Sequence, residues 1–143
     1  MIVLDTNVVS EMMRSTPEPR VVQWIDAFAA DDVFVTAVTA AELMYGVARL
    51  PEGRRKQELL VKVGALIAED FKDRVLPFDQ LAAVDYANVV ASRERAGRPI
   101  SMADAQIAAI CRNWSADLAT RNVADFMDIG VRVVDPWTNT VGQ

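Results

Sequence analysis

The sequence contains no histidine and a single cysteine, Cys111, among its 143 residues. The missing histidine excludes catalytic systems in which histidine activates a serine or cysteine, and it excludes histidine-bound zinc. One cysteine excludes an internal disulfide framework and fits a reducing compartment, so we expect a cytoplasmic protein. Cys111 lies in the helical apolar segment AQIAAIC, where we expect it to pack in the core. Hydrolytic chemistry in this protein would therefore have to come from carboxylates.

Basic residues are also in the minority, because 15 lysines and arginines stand against 20 aspartates and glutamates, for a net charge of −5. This balance counts against simple binding to duplex nucleic acid, which usually requires a basic excess. Two groups of basic residues are nevertheless close in sequence; they are Arg49, Arg54, Arg55, Lys56 and Lys62, and Arg93, Arg95 and Arg98. They indicate either exposed helix faces or an edge that contacts RNA or a partner protein.

Long apolar runs are missing as well, so we expect neither a membrane span nor a signal peptide. There is no Gly-Lys-Ser/Thr phosphate loop and no GxGxxG motif, which disfavours nucleotide-binding ATPases and Rossmann folds. The apolar content of 52% is enough for one proper core, and no repeat or linker divides the chain. We therefore predict a single domain over residues 1–143.

Short β-rich segments alternate with longer helical segments along the chain. The apolar runs IVLD, DVFVTA, RVLPF, DLAT and VRVVD predict five strands. Segments such as VVQWIDAFAA and RRKQELLVKVGALIAEDF have the periodicity of helices. We expect Trp24, Trp114 and Trp137 to be core or interface anchors. This order of elements predicts an α/β fold with a central parallel sheet flanked by helices.

Polar side chains follow the predicted strands at the edge where ligands of such sheets bind. They are Asp5 after the first strand, Glu42 and Asp104 in the first turns of two helices, and Thr120, Asn122 and Asp125 after the fourth strand. Two carboxylates about 4 Å apart repel each other by roughly 4 kcal/mol at an effective dielectric near 20. If these acids converge, a cation would offset the repulsion, and an all-oxygen ligand set selects Mg²⁺ or Mn²⁺.

Each of these residues has an alternative role as a helix cap. Thr39 to Glu42 has the spacing of a capping box, Ser101 to Asp104 is a near variant, and Asn122 to Asp125 repeats the pattern. Asp5 or Thr6 would cap the first short helix, and Thr6 and Thr120 would either cap helices or hydrogen-bond a ligand or phosphate. A cap stabilises by roughly 1 kcal/mol, so the spacing alone leaves both interpretations open.

The segments MIVLDTNVVSE, TAVTAAELMYGV, ISMADAQIAA, LATRNVADF and VDPW occur in this order along nearly the whole chain. In this order they resemble the PIN-domain nucleases, specifically the VapC-type and FitB-like toxins of bacterial toxin–antitoxin pairs. The resemblance implies a PIN-like sandwich and an acidic pocket that holds Mg²⁺ or Mn²⁺. It implies that Asp5 and Asp104 bind the metal directly and that Glu42 acts through water or a second metal. Asn122 or Asp125 would then fill the fourth place of the site.

The expected function is metal-dependent endoribonuclease activity, with Asp5, Glu42, Asp104 and Asn122 in the site. The resemblance further implies a cognate antitoxin, homodimers, toxin–antitoxin hetero-oligomers, and contact with operator DNA only through the antitoxin. Two other functions stay open at this point. One is a phosphatase-like domain with Asp5 as the nucleophile, although Asn7 stands where the usual second acid would be. The other is a catalytically silent interaction module.

Overall fold

The structure is a computed structural model that describes residues 1–142 of the chain. The strands are β1 (Ile2–Leu4), β2 (Val33–Thr36), β3 (Val75–Leu76), β4 (Asp117–Ala119), β5 (Val133–Asp135) and β6 (Thr140–Gly142). They form one sheet in the order β3-β2-β1-β4-β5-β6. All neighbouring strands run parallel except β5 and β6, which are antiparallel.

Helices connect the parallel strands. The α-helices are α1 (Thr6–Met12), α2 (Pro19–Asp26), α3 (Ala37–Ala48), α4 (Arg54–Ala65), α5 (Gln80–Arg95) and α6 (Met102–Asn113). Two 3₁₀ turns cover Ala30–Asp32 and Val123–Phe126, and α4 widens into a π turn at Leu66–Asp70. No helix within residues 1–142 combines the length and the apolar character that crossing a membrane requires.

The core lies on both faces of the sheet. On one face, Val3 packs with residues of α5 and α6 such as Ile107. On the other face, Leu4 packs with residues of α1 and α2 such as Val9 and Val21. This arrangement explains why β1 shows no polar alternation, because a strand that is covered on both faces needs apolar side chains at every position.

The predicted α/β fold with a central parallel sheet is confirmed, with two corrections. The run VRVVD was expected to be the last strand, but Thr140–Gly142 form a sixth, antiparallel strand at the sheet edge. The helix expected over VVQWIDAFAA begins at Pro19 and ends at Asp26. Pro19 suits the first turn because its missing N–H has no helical partner there. After Asp26 the chain turns through Ala30–Asp32 into β2.

The sheet brings the ends of three strands together. β1 lies between β2 and β4, and the chain continues outward from β1 to β3 on one side and from β4 to β6 on the other. The strand order therefore reverses between β1 and β4, where ligands of open parallel sheets commonly bind. The Asp5 N–H donates to the Ala119 carbonyl at 2.9 Å, which aligns the ends of these two strands. Asp5, Thr120 and Thr36 consequently lie at the same edge.

Candidate functional site

Asp5 lies directly after β1 and is almost fully buried, with 5% of its surface exposed. One carboxylate oxygen, Oδ1, accepts the Thr6 N–H at 2.8 Å at the start of α1, and Oδ2 accepts the Thr120 hydroxyl at 2.7 Å. Asp5 therefore does cap α1, as one interpretation of the sequence held, but it is also tied to β4. Burial raises the pKa of Asp5 above its usual range, against the lowering effect of these hydrogen bonds.

Thr120 is the hydrogen-bonding centre beneath this carboxylate. Its side chain is completely buried, and besides donating to Asp5 its hydroxyl oxygen accepts the Asn7 side-chain amide at 3.2 Å and the Asn122 N–H at 3.1 Å. Since its one proton is committed to Asp5, Thr120 orients that acid and is not placed to bind a phosphate itself. The sequence placed Thr120 at the correct edge but did not indicate this role.

Glu42 is free of the capping role that its spacing suggested. Helix α3 begins at Ala37, and its cap is Thr36, whose hydroxyl accepts the Thr39 N–H at 3.1 Å. The predicted capping box from Thr39 to Glu42 is therefore wrong, and Glu42 lies in the second turn instead of the first. Its exposed carboxylate accepts the Thr6 hydroxyl at 2.9 Å, which joins α3 to α1.

Asp104 lies in the first turn of α6, where Ser101 acts as the cap. The Ser101 hydroxyl accepts the Asp104 N–H at 3.2 Å, so the capping interpretation is correct for Ser101. The Asp104 carboxylate has a different environment. Burial, followed by repulsion from the charge of Asp5, raises the pKa of Asp104 to about 6. The charges of Asp125 and Glu42 add smaller contributions in the same direction.

Three of the predicted acids meet in one cleft. The cleft has a volume of about 520 Å³. It is lined by Asp5, Thr6, Asn7, Ser10, Glu11, Arg14, Glu42, Asp104, Arg121, Asn122 and Trp137. Residues that are 37 and 62 positions apart in sequence thus contribute carboxylates to the same space, as the strand-end argument predicted.

The fourth place of the site involves two residues. Asn122 is exposed and lines the cleft, and its side chain makes no capping bond to the 3₁₀ turn that follows. Asp125 is exposed and lies outside the cleft lining, yet its charge contributes to the raised pKa values of Asp5 and Asp104, after the larger effect of burial. The capping role expected of Asp125 is not seen within residues 1–142.

A comparison with known families decides what kind of domain carries this cleft. The model of the family described as PIN domain matches residues 2–130. The chain belongs to the PIN-domain family. This confirms the resemblance that the order of the sequence motifs indicated.

Individual PIN-domain proteins are similar over almost the whole chain. Toxin FitB of Neisseria gonorrhoeae is 41% identical over 137 residues, which cover 96% of this chain and 99% of FitB. The VapC ribonuclease Y4jK of Sinorhizobium fredii is 36% identical over 137 residues, which cover 96% of this chain and 98% of the relative. A solved structure of FitAB bound to an IR36 DNA fragment superposes with a TM-score of 0.89 at 40% identity, covering 96% of each chain.

The acids of this PIN domain fit a hard divalent cation that keeps part of its water shell. Within residues 1–142, no three histidine, cysteine, aspartate or glutamate side chains are close enough together to enclose a metal ion unaided. The carboxylates therefore do not form a closed site of the kind that structural zinc occupies. Mg²⁺ is commonly held by only one or two carboxylates, with water and substrate phosphate completing the shell. Asp5 and Asp104 suit the part of the one or two direct carboxylate ligands, and the more exposed Glu42 suits contact through water.

Glu11 is a cleft residue that the sequence analysis missed. Only 6% of its surface is exposed, and its carboxylate accepts the Glu18 N–H at 3.0 Å and the Arg14 guanidinium at 3.1 Å. The Glu18 N–H is the main cause of the lowered pKa of Glu11, and Arg14 and Arg121 add to it. Glu11 thus holds the chain between α1 and α2 against the cleft. The spacing of Glu11 and Arg14, three residues apart on a helix, is the only sequence signal for this pair.

One member of the predicted basic clusters is buried. Arg93 was expected on an exposed helix face or a contact edge, but only 5% of its surface is exposed. Its guanidinium donates to the carbonyl oxygens of Arg98 at 2.7 Å, Asp125 at 2.9 Å and Met127 at 3.0 Å. Arg93 therefore joins the loop after β4, which carries Asp125, to the turn that precedes α6. The expectation fails for Arg93 because these two loops close over the end of α5.

The predictions for Cys111 and the three tryptophans have different outcomes. Cys111 is completely buried, as expected, and its burial raises the pKa of the thiol. Trp24 and Trp137 pack against the core on the α1 face of the sheet. Trp114 is 46% exposed, so it is not a core residue, and its role as an interface anchor stays a prediction. It follows α6 directly, where the chain turns away toward β4.

A second, larger cavity adjoins the acidic cleft. Its volume is about 650 Å³, and it lies between α1, α3 and α4. It shares Ser10 and Arg14 with the acidic cleft, and Leu43 and Leu59 contribute apolar surface. None of the clustered carboxylates lines it, so the larger cavity is a groove beside the acidic cleft and is separate from the acids.

Proposed function

We propose that this protein is a metal-dependent endoribonuclease and the toxin component of a type II toxin–antitoxin pair in the cytoplasm. The observation that carries the proposal is the convergence of Asp5, Glu42 and Asp104 on one cleft at the carboxyl edge of the sheet. The similarity to Toxin FitB and to a VapC ribonuclease supports both parts of it.

Asp5 and Asp104 would hold Mg²⁺ or Mn²⁺, with Glu42 acting through water, and Asp125 would add negative charge at the edge of the site. When bound, the ion supplies Lewis acidity toward a water molecule and a phosphoryl oxygen. The two acids are suited to this role because the charge of Asp5 adds to the effect of burial in raising the pKa of Asp104, and a cation would relieve that repulsion.

The chain's own residues would orient the reacting groups. Glu42 is exposed to the cleft and receives a hydrogen bond from the Thr6 hydroxyl, which leaves its second oxygen able to orient or deprotonate a water. Thr120 and the Thr6 N–H fix both oxygens of Asp5. The side-chain amide of Asn122, at the other wall, would hydrogen-bond the phosphate of the substrate. RNA is the substrate class because the related VapC protein is named a ribonuclease.

The partners we propose follow from the charge of the cleft and from the FitAB complex. An antitoxin arginine or lysine that reaches the clustered acids would neutralise them and block access of RNA. The apolar groove between α1, α3 and α4 lies beside that cleft and offers a surface for the rest of such a segment. We propose that the free toxin is a homodimer and that it meets operator DNA only through its antitoxin, in keeping with the FitAB structure that contains DNA.

The phosphatase alternative is not favoured. Asp5 would have to attack phosphorus, but it is only 5% exposed and both of its oxygens accept hydrogen bonds. Asn7, at the place of a second acid, donates its amide to Thr120 and accepts the Arg121 N–H. The catalytically silent module is likewise not favoured, since the relatives are named toxin and ribonuclease.

A cleavage assay on single-stranded RNA tests the proposal. Wild-type protein in Mn²⁺ or Mg²⁺ should cut the RNA, whereas EDTA or Asp5→Asn should lower the rate at least 100-fold. Asp31→Asn is the matched control, because Asp31 is exposed in the turn before β2, at the opposite edge of the sheet. Cleavage that survives both EDTA and Asp5→Asn would reject the proposal.

A further inference from the structure

Arg121 is a cation in a cleft lined by four carboxylates, Asp5, Glu11, Glu42 and Asp104, and it forms an ion pair with none of them. It is exposed and lines the same space as Asp5 and Asp104. Within residues 1–142 its guanidinium forms no ion pair and donates no hydrogen bond. The other arginine of the cleft, Arg14, is in contrast already paired with Glu11. Five N–H donors of Arg121 are therefore available to an anion that enters the cleft.

Arg121 is held by one contact of its guanidinium and one contact of its backbone. Its carbon Cζ lies 4.8 Å from the centre of the Trp137 ring, a cation–π contact. The backbone N–H of Trp137 donates to the carboxylate of Asp135 at 2.8 Å, which holds the tryptophan at the end of β5. The backbone N–H of Arg121 donates to the Asn7 side-chain oxygen at 3.1 Å, and the Asn7 side-chain amide donates to Asp5 at 3.3 Å, which ties this part of the chain to the acids. A stacked guanidinium keeps its edge donors open, and that edge matches the oxygens of a phosphate.

We propose that Arg121, braced by Trp137, binds a backbone phosphate of single-stranded RNA next to the phosphate that is cut. This proposal rests on the proposed ribonuclease function. It assigns the two residues a binding role and no part in the chemical step. The acids repel a polyanion, so a fixed cation at their side gives the strand one favourable contact and sets which phosphate reaches the acids.

The chain provides a matched control for the stacked arginine. Arg49 lies over the ring of Tyr45 at 5.9 Å, and both residues are exposed. Neither lines the acidic cleft. Arg49→Gln therefore removes the same charge and the same type of contact as Arg121→Gln, outside the proposed RNA path.

The test measures cleavage and binding separately. Steady-state cleavage of a single-stranded oligoribonucleotide in Mn²⁺ gives KM and kcat, and fluorescence anisotropy of the same labelled strand in Ca²⁺ gives Kd at several salt concentrations. We expect Arg121→Gln to raise KM and Kd about tenfold with kcat nearly unchanged, as for the loss of uniform binding. The slope of log Kd against log salt should fall by roughly 0.7, the value for one lost phosphate contact on a single strand. Trp137→Leu should raise Kd by a smaller factor.

The outcomes separate this proposal from the proposed function. An Arg121→Gln protein with the wild-type melting temperature, but with KM and Kd equal to those of Arg49→Gln, would overturn the subsite. Arg121→Lys should recover part of the affinity if the charge acts on phosphate, and no recovery together with a lowered melting temperature would show a structural role instead. If the wild type binds RNA through Arg121 without cutting it, the phosphate contact of Arg121 stands, whereas the ribonuclease function and the place of this contact beside a cut phosphate fail. If it neither cuts nor binds RNA, both fail.

Discussion

The hydroxyl of Thr120 donates a hydrogen bond of 2.7 Å to Oδ2 of Asp5, across 115 positions of the sequence. This bond ties the end of β4 to the end of β1 and sets the orientation of the acid that lies deepest in the cleft. Thr120 is completely buried, and its hydroxyl oxygen also accepts hydrogen bonds from Asn7 and Asn122, so this one group connects three polar residues of the site.

Replacing this hydroxyl tests how far the site depends on it. Thr120→Val should destabilise the protein by roughly 1–3 kcal/mol, the cost of leaving buried polar groups unpaired. It should also weaken Mn²⁺ binding about 10- to 100-fold, as for other losses of the partner that orients a metal ligand. Urea unfolding and calorimetric titration with Mn²⁺ measure the two effects. Thr120→Ser keeps the hydroxyl and should behave like the wild type; equal Mn²⁺ affinity for the valine and serine variants would contradict this role.

The raised pKa of Asp104 predicts that its charge lowers the free energy of unfolding and that this loss depends on pH. The folded-state pKa is about 6, against an ordinary value of 3.8. A raised pKa means that the stabilising contribution of this group is complete below the ordinary value and is lost as the pH rises through 6. Asp104→Asn, which cannot ionise, should therefore be more stable than the wild type in EDTA at pH 8, by up to about 3 kcal/mol.

Thermal melts of the two proteins in EDTA between pH 4 and pH 8 measure this difference. The advantage of Asp104→Asn should be smallest near pH 4 and should grow until the pH passes 6, since only the wild-type side chain becomes charged. Asp31→Asn, at an exposed position outside the cleft, serves as the control for the substitution itself. A difference between Asp104→Asn and wild type that stays constant over the whole range would contradict the shifted pKa.

The buried guanidinium of Arg93 predicts a large effect from a residue outside the cleft. Arg93→Met would remove the donor from the carbonyl oxygens of Arg98, Asp125 and Met127. A buried acceptor without a partner costs about 1–3 kcal/mol; these three hydrogen bonds are partly buried, so we expect a total loss of about 2–4 kcal/mol in urea unfolding. Arg95→Met is the control, because Arg95 is exposed in the same last turn of α5. Equal stability of the two variants would refute the bridging role of Arg93.

Much of the fold could be predicted because the strands and the helices have clearly different patterns of apolar residues. Continuous apolar runs such as IVL can only be buried on both faces of a sheet, and the long periodic segments between them can only be helices. Strand β6 escaped prediction because Thr140–Gly142 carries no apolar run, and its extended form depends on pairing with β5.

The site was predictable in part for a related reason. The ends of parallel strands meet at one edge, so Asp5 and the polar residues after β4 had to be neighbours. The true start of α3 was not predictable, since Thr36 and Thr39 are equally good caps by spacing and only the end of β2 decides between them. Arg93 shows the same limit, because its burial arises from two loops that meet in space and leaves no local signal in the charged sequence around it.

The most direct test of the whole account is a crystal of the protein grown or soaked in Mn²⁺, examined by anomalous scattering. We expect a peak in the cleft at roughly 2.1 Å from one carboxylate oxygen of Asp5 and one of Asp104, with water completing the shell. The same experiment on Asp104→Asn should show the peak weakened or absent. A fully ordered cleft that binds no ion between Asp5 and Asp104 at saturating Mn²⁺ would contradict the claim that these acids converge to hold a divalent cation.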